Sequence, residues 1–386
     1  MRKSRLLCGI FSFVMVLVAA GSLLAESPKM VEALQPYIDR GEMPGIVSVL
    51  ATKDKILQID CVGYSNVETK TPIAADQMFW MASTSKFFAG TALMMLVDEG
   101  KVALDDPIEK YLPEMSALKV ALVRQNGLQV LQTPESKPTV RQALSHQVGW
   151  PFQTEIMEKF GSDCLPLQKE LFVISRTPLN FQPGKGYQYT ELGIDVVGGI
   201  IEKVTGKPYE DFLQERIFDP LGMKDTTLWP SLELQQNRWI QCYNWHEEKL
   251  AQCNIPMMTK PYEDKTVRFP EPGACIFSTA NDLTKFFQMH AGGGVYEGKR
   301  YLSQAAIDEM STKQTPEGNG NDYGLTSALE GPWYGHGGAC GNQCSASKDG
   351  LVRLFIVQVS GVPKHGEAVH AWKRAADAIF KEEGLR

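Results

Sequence analysis

Residues 45–66, GIVSVLATKDKILQIDCVGYSN, decide the fold class. Two runs rich in β-branched and aliphatic residues flank the polar turn Lys53-Asp54-Lys55, a pattern that is typical of a β-hairpin. Strand-like segments return at 239–255, 335–347 and 351–360, and no repeated strand–helix–strand units connect them. Strands joined in this way predict an antiparallel sheet and an α+β fold.

Helical patterns surround and interrupt these strands. Segments 30–37 and 367–383 predict N- and C-terminal helices that flank the sheet and cover one of its faces. Between them, residues 104–230 have a mainly helical pattern with proline-rich joints, which predicts an inserted helical subdomain within one domain spanning residues 26–386. The seam between sheet and subdomain is where a binding cleft is expected.

Two helices are predicted with particular clarity. One spans residues 86–99 and stops before Gly100. The other spans residues 192–204, has apolar residues at helical spacing, and stops before Gly206.

The composition excludes several classes of protein. The 386 residues carry a formal net charge of −6 and no run of lysine or arginine, which argues against a nucleic-acid partner. His365 and His370 are five residues apart, out of helical register, and no Cys-x-x-Cys occurs. We therefore expect neither a metal nor a cofactor.

The N-terminus has the pattern of a secretory signal. Arg2, Lys3 and Arg5 precede an apolar stretch that ends at Ala25, so residues 1–25 are predicted to be a signal peptide. Cleavage after Ala20 is an alternative. The protein is then expected to be exported, to the periplasm or beyond. Because the stretch is just long enough to span a bilayer, an uncleaved anchor is the other possibility, and only then is membrane attachment expected.

Removal of the signal would leave seven of the eight cysteines, an odd number. Cys242 and Cys253 lie symmetrically about Glu247-Glu248, in a segment with the pattern of a hairpin. The sequence allows either a disulfide between these two or two independent thiols.

A Ser-x-x-Lys spacing links Ser83 to Lys86, but it also occurs at 116–119 and 345–348, so the spacing alone has little specificity. Ser83 differs because it lies where an irregular segment enters the predicted helix 86–99. Residues one helical turn apart share a face, and a helix N-terminus favours a developing negative charge. A simple capping serine beside a solvated lysine is the alternative.

Three further stretches occur with MASTSKF (81–87) in the order found in one enzyme family. They are residues 181–230, which begin FQPGKGYQYTELGID, residues 272–303, which begin PGACIFSTAND, and residues 334–346, YGHGGACGNQCSA. Together they resemble the Ser-x-x-Lys serine hydrolases related to class C β-lactamases, D-alanyl-D-alanine carboxypeptidases and carboxylesterases. The resemblance covers about residues 43–360 and implies a β-lactamase/penicillin-binding-protein-like fold.

The resemblance implies roles for the polar residues. Ser83 would be the acylated nucleophile, Lys86 would help to remove its proton, and Tyr189 would be the general base and acid. Thr190 takes the place of a serine in the family's Tyr-Ser-Asn element, and Tyr187 is expected to be a packing residue.

The third family element corresponds to residues 336–338 on an edge strand. His336 would assist as a cation when protonated, and Gly337 and Gly338 would let the substrate approach the backbone. The N–H groups of Ser83 and Ala339 would form the oxyanion hole.

The resemblance places Glu191 among the substrate-binding residues, at a position where the family pattern has asparagine. If its carboxylate faces Lys86 it would raise the pKa of the amine, and recognition of a β-lactam amide would give way to small acyl esters. It could equally point away at the helix start, where a carboxylate is favourable. His146 is expected to be structural, and Cys340 to be a small buried residue.

These features predict an exported serine hydrolase that acts through an acyl-Ser83 intermediate, with carboxylesterase-like activity on a small-molecule or peptide acyl substrate. β-Lactamase activity, D-amino-acid peptidase activity, and a binding protein impaired by Glu191 are the alternatives.

Overall fold

The hairpin predicted over residues 45–66 lies inside the largest sheet of the protein. A computed structural model describes residues 27–123, 129–318 and 321–386, so the predicted signal peptide lies outside the described residues. The strands are β1 Gly45–Thr52, β2 Ile56–Asn66, β3 Thr71–Pro72, β4 Phe79–Trp80, β5 Val120–Val123, β6 Gln129–Gln132, β7 Tyr243–His246, β8 Lys249–Gln252, β9 Phe277–Ser278, β10 Val295–Tyr296, β11 Lys299–Arg300, β12 Ala328–Glu330, β13 Trp333–Gly337, β14 Gln343–Ser347, β15 Leu351–Ile356 and β16 Val359–Ser360.

The helices are α1 Pro28–Asp39, α2 Ser85–Asp98, α3 Val140–Leu144, α4 Glu155–Phe160, α5 Leu167–Ile174, α6 Leu192–Thr205, α7 Tyr209–Leu213, α8 Asp219–Leu221, α9 Leu232–Asn237, α10 Ala280–Ala291, α11 Gln304–Met310 and α12 His365–Glu382. The described part of the chain contains no helix with the length and apolar character needed to cross a membrane.

The large sheet has seven strands in the order β12-β13-β14-β15-β1-β2-β3, and every neighbouring pair is antiparallel. The predicted α+β class with an antiparallel sheet is confirmed. Strand β1 is buried on both faces, because Ile46 and Leu50 point to one layer of helices while Val47 and Val49 point to the other.

The terminal helices cover one face, as predicted. Helix α12 packs on α1 and on β15. Trp372 of α12 is fully buried, and its indole N–H donates to the Ser48 hydroxyl of β1 at 2.9 Å. One side chain thus joins the end of the chain to the centre of the sheet.

Helices α2 and α10 pack on the opposite face, where the core continues into the helical region. The predicted helix at 86–99 is α2, and the helix at 192–204 is α6, which ends before Gly206 in the left-handed conformation at φ 69°. Residues 104–230 contain helices α3 to α8 together with the β5–β6 hairpin. The proposed subdomain boundary stays a prediction.

The cysteine hairpin forms as predicted, with β7 paired to β8. The Sγ atoms of Cys242 and Cys253 are 3.4 Å apart, too far for a disulfide bond, and both cysteines are free. Cys242 belongs to the same hydrophobic cluster as Cys340, which is fully buried. Of the two alternatives, the structure has two free thiols.

Trp372→Ala should lower the free energy of unfolding by about 3–5 kcal/mol, because it empties the space between α12 and the sheet. Trp372→Phe should lower the free energy of unfolding by less, since a phenyl ring still fills most of the space although the hydrogen bond to Ser48 is lost. Urea unfolding measures both. Equal losses in the two variants would contradict the packing role.

Candidate active site

Ser83 lies in a single turn of 3₁₀ helix, Ala82–Thr84, that leads directly into α2. Ala82 has φ 47°, in the left-handed region that residues with a side chain rarely adopt. This sharp turn leaves Ser83 half-buried, while Lys86, one helical turn further on, is fully buried. The Nζ atom of Lys86 lies 3.2 Å from Oγ of Ser83.

The ammonium of Lys86 has three acceptors, one for each of its protons. Besides Ser83 Oγ, it donates to Oε2 of Glu191 at 2.5 Å and to the carbonyl oxygen of Gly273 at 3.1 Å. Glu191 therefore faces Lys86, which decides between the two orientations that the sequence left open. With a side-chain exposure of 2%, its carboxylate lies behind the amine, so the expectation that it contacts substrate is wrong.

This ion pair sets the protonation state of Lys86. Burial by itself would lower the pKa of Lys86, but the negative charge of Glu191 outweighs it and the pKa lies above its usual range. Burial alone therefore does not make this lysine a neutral base. Lys86 is an ammonium at rest.

Gly273 is a site residue that the sequence did not single out. A Cβ atom there would lie 2.1 Å from Oε2 of Glu191 and 3.2 Å from Nζ of Lys86, so only glycine fits beside the ion pair. The sequence feature that could have indicated it is the Pro272-Gly273 pair at the start of residues 272–303, one of the stretches that resemble the family.

Tyr189 completes a group of three polar side chains. Its ring lies beside Lys86, whose Nζ is 5.0 Å from the ring centre, and its phenol is close to the Ser83 hydroxyl. Burial raises the pKa of Tyr189 and outweighs the opposing charge of Lys86. The nearby cation does not make it a phenolate, so Tyr189 is a phenol at neutral pH.

His336 belongs to a chain of hydrogen bonds beside these residues. Its Nδ1 lies 2.6 Å from the Gly337 carbonyl oxygen, which fixes the proton on Nδ1, and its Nε2 accepts from the Tyr323 hydroxyl at 3.0 Å. Tyr323 in turn accepts from Nε2 of His146 at 3.2 Å, whose Nδ1 accepts the Thr190 N–H at 3.4 Å. Every proton in the chain has a defined place.

Both histidines in this chain are neutral. Burial, followed by the charge of Lys86, lowers the pKa of His336 to about 3, and the same causes bring the pKa of His146 well below its usual value. The expectation that a protonated His336 supplies a second cation is therefore wrong. Tyr323, which links the two rings, was missed because no sequence motif marks it.

The loop after β13 is bound to the nucleophile turn. The Asn342 amide donates to the Trp80 carbonyl oxygen at 3.1 Å, and a Cβ atom on Gly338 would lie 2.5 Å from the Met81 carbonyl oxygen. The next residue, Ala339, is exposed and begins a turn. The two expected oxyanion donors thus lie on adjacent segments.

Comparison with known proteins assigns the family. The model of the Beta-lactamase family matches residues 30–378. The chain belongs to the beta-lactamase family. Esterase EstB of Burkholderia gladioli is 29% identical over 309 residues, covering 74% of this chain and 75% of that protein. Penicillin-binding protein 4 of Amycolatopsis lactamdurans is 26% identical over 306 residues, with 76% and 72% covered.

The fold of this beta-lactamase-family protein matches solved structures. The structure of EstCE1, titled a hydrolase with promiscuous acyltransferase activity, superposes with a TM-score of 0.74 at 20% identity and covers 90% of this chain and 97% of its own. The predicted family and its β-lactamase/penicillin-binding-protein-like fold are thereby confirmed.

The other two Ser-x-x-Lys segments of this beta-lactamase-family protein are structural. The Ser116 hydroxyl donates to the Pro113 carbonyl oxygen at 2.8 Å, and the Ser345 hydroxyl accepts from Arg353 at 3.1 Å. Among the described residues, no cluster of three or more His, Cys, Asp or Glu side chains could hold a metal ion.

Gly273→Ala should lower kcat/KM on a p-nitrophenyl ester by about 100-fold, because its methyl group displaces Glu191 from Lys86 and a displacement of about 1 Å is enough for such a loss. The matched control is Gly366→Ala, since a Cβ atom on Gly366 would meet nothing within 4 Å. Wild-type activity in the Gly273→Ala protein would show that the ion pair is dispensable.

Proposed function

We propose that this protein is an exported serine hydrolase that cleaves a carboxylic ester through an acyl-Ser83 intermediate. The observation that carries the proposal is the position of the Lys86 ammonium, which contacts the Ser83 hydroxyl and the Glu191 carboxylate at once. The nucleophile Ser83, the proton carrier Lys86 and the final proton acceptor Glu191 are in contact one after the other, which is the arrangement that covalent acyl transfer needs.

In the acylation step, the Ser83 oxygen attacks the ester carbonyl carbon. As its O–H proton moves to Lys86, the lysine passes one of its own protons to Glu191, so that no net charge is created in the buried site. The oxyanion that forms is stabilised by the N–H groups of Ser83 and Ala339, each of which lowers the barrier by about 3–4 kcal/mol.

Tyr189 is assigned the role of general acid that protonates the leaving group. Its phenol donates a proton to the departing alkoxide and is then reprotonated by Lys86. Lys86 takes back the proton held by Glu191 at 2.5 Å, so the Ser83 proton is balanced by the one that leaves with the alcohol. Water then attacks the acyl-enzyme, and the same proton path runs in reverse to release the acid and regenerate Ser83.

Ester hydrolysis is favoured over β-lactam hydrolysis by Glu191. An asparagine can donate its amide N–H to an acyl-amide oxygen of a substrate, whereas an ionised glutamate only accepts, and this one is buried behind Lys86. The names of Esterase EstB and EstCE1 support the same reaction class. Because a penicillin-binding protein is also a relative, D-amino-acid peptidase or β-lactamase activity is the second candidate.

The position of Phe152 supports a substrate with an apolar acyl group. Its ring is 40% exposed and stacks on Tyr189 with a centroid distance of 6.2 Å, while its carbonyl oxygen accepts the Glu191 N–H at 3.0 Å. The exposed ring thus lies beside Tyr189. Export is supported only by the signal-peptide pattern of residues 1–25.

Wild-type protein should release a burst of p-nitrophenol from a p-nitrophenyl ester, with one acyl group bound per molecule, and Ser83→Ala should abolish both. Initial rates on the ester, on a D-Ala-D-Ala peptide and on nitrocefin should be highest for the ester. The absence of both the burst and the adduct would favour a binding protein on this fold. Faster turnover of the peptide or of nitrocefin would favour the second candidate.

Phe152→Ser should lower the butyrate-to-acetate ratio of kcat/KM by about fourfold to tenfold, because each buried CH₂ group contributes about 0.8 kcal/mol. The matched control is Phe160→Ser, since Phe160 is also exposed but ends helix α4. An unchanged ratio in the Phe152 variant would place the acyl chain elsewhere.

A further inference from the structure

Four buried carboxyl side chains gather behind Lys86. They are Glu170 on α5, Glu191 and Asp195 on α6, and Glu271 in the loop before β9, with relative exposures of 5%, 1%, 1% and 7%. Glu170, Asp195 and Glu271 line one small cavity. In the described part of the chain, Glu191 alone among the four has a cationic partner, Lys86.

Glu271 is the member of this group next to Glu191. Neither of its oxygen atoms accepts a hydrogen bond from a donor in the described structure, yet its carboxyl group contacts that of Glu191. Two ionised carboxylates cannot bond to each other, since both only accept. One proton shared between them turns the contact into a hydrogen bond. Because Glu191 already faces an ammonium at 2.5 Å, the proton belongs on Glu271.

The charges around Glu271 agree with this assignment. The titratable groups that face it are Glu191 and Asp195 on α6, Lys86 on α2, Cys275 in its own loop, and Glu170 across the cavity. One ammonium cannot balance several buried carboxylates. Burial, followed by Glu191 and Asp195, raises the pKa of Glu271 well above its usual range, and Lys86 opposes this less strongly.

We propose that Glu271 keeps its proton in the folded protein and is a positioning residue, donating its O–H to Glu191 so that Glu191 Oε2 stays on Lys86. Residues 271–273 then act as one unit, since Gly273 leaves the space for Glu191 and its carbonyl oxygen accepts from Lys86. The catalytic consequence rests on the proposed function, whereas the location of the proton does not.

The protonation state can be tested without any substrate. A carboxyl whose pKa is higher in the folded than in the unfolded state makes stability fall as pH rises between the two values, because the folded state then binds more protons. Wild type should therefore lose stability relative to Glu271→Gln as the pH rises from about 5 to about 8. Urea unfolding at several pH values measures this. The exposed Glu233→Gln variant is the control, with a constant difference expected.

An infrared difference spectrum gives a direct readout of the same proton. Subtracting Glu271→Gln from wild type at neutral pH should leave the C=O band of a protonated carboxyl group. A carboxylate band in its place, or parallel stability curves for the two proteins, would overturn the proposal, whether or not the protein hydrolyses esters.

Ester hydrolysis tests the positioning role. Glu271→Ala should lower kcat about tenfold with KM unchanged, since Glu191 loses a hydrogen bond to a charged group. Glu271→Gln should stay within about threefold, because its amide N–H replaces the carboxyl O–H. The matched control is Glu170→Gln, a buried carboxyl on the same cavity that bonds Thr154, with wild-type kcat expected.

A Glu271→Gln protein as impaired as Glu271→Ala would overturn the positioning role. A wild-type protein without esterase activity would instead refute the proposed function, and the unfolding and infrared measurements would still decide where the proton lies.

Discussion

One buried ammonium organises the centre of this protein. Lys86 is fully enclosed, and a charge removed from water is tolerated only when partners replace its hydration. The three that do so are a carboxylate from α6, a backbone carbonyl from the loop before β9, and the hydroxyl of Ser83. Two helices and a loop distant in sequence must therefore meet at one atom. The ion pair that results keeps the lysine charged, so deprotonation of Ser83 has to proceed by passing protons along the line rather than by a free amine.

The sheet supplies the opposite wall of the site. Strand β13 ends in glycines that allow its loop to lie against the turn of Ser83, and the Asn342 amide holds that contact to the Trp80 backbone. The left-handed conformation of Ala82 turns the nucleophile toward this wall. Because β13 is hydrogen-bonded to a strand on each side, the wall is part of the sheet, which suits preformed oxyanion donors.

The polar groups around the triad divide into two kinds. The His146–Tyr323–His336 chain is neutral and fully hydrogen-bonded, so it holds the end of β13 without adding charge. β13 lies between β12 and β14, so it is not the edge strand that the resemblance implied. The carboxyl group of Glu271 is buried next to another carboxyl, and a retained proton is the physical solution that avoids a second charge. Around a single cation, the protein thus balances charge by keeping most of its titratable neighbours neutral.

The order of strands and helices follows from local patterns, so the hairpin at 45–66, helices α2 and α6, and the antiparallel class could be predicted from the sequence. The site residues Ser83, Lys86 and Tyr189 could also be predicted from the sequence, because they lie in stretches that occur in the order found in a known enzyme family. Tertiary structure alone decided the orientation of Glu191, the charged state of Lys86, the neutrality of His336 and the place of Glu271, Gly273 and Tyr323 at the site. Protonation depends on burial and on the distance to charges that are remote in sequence, and neither quantity exists until the chain has folded.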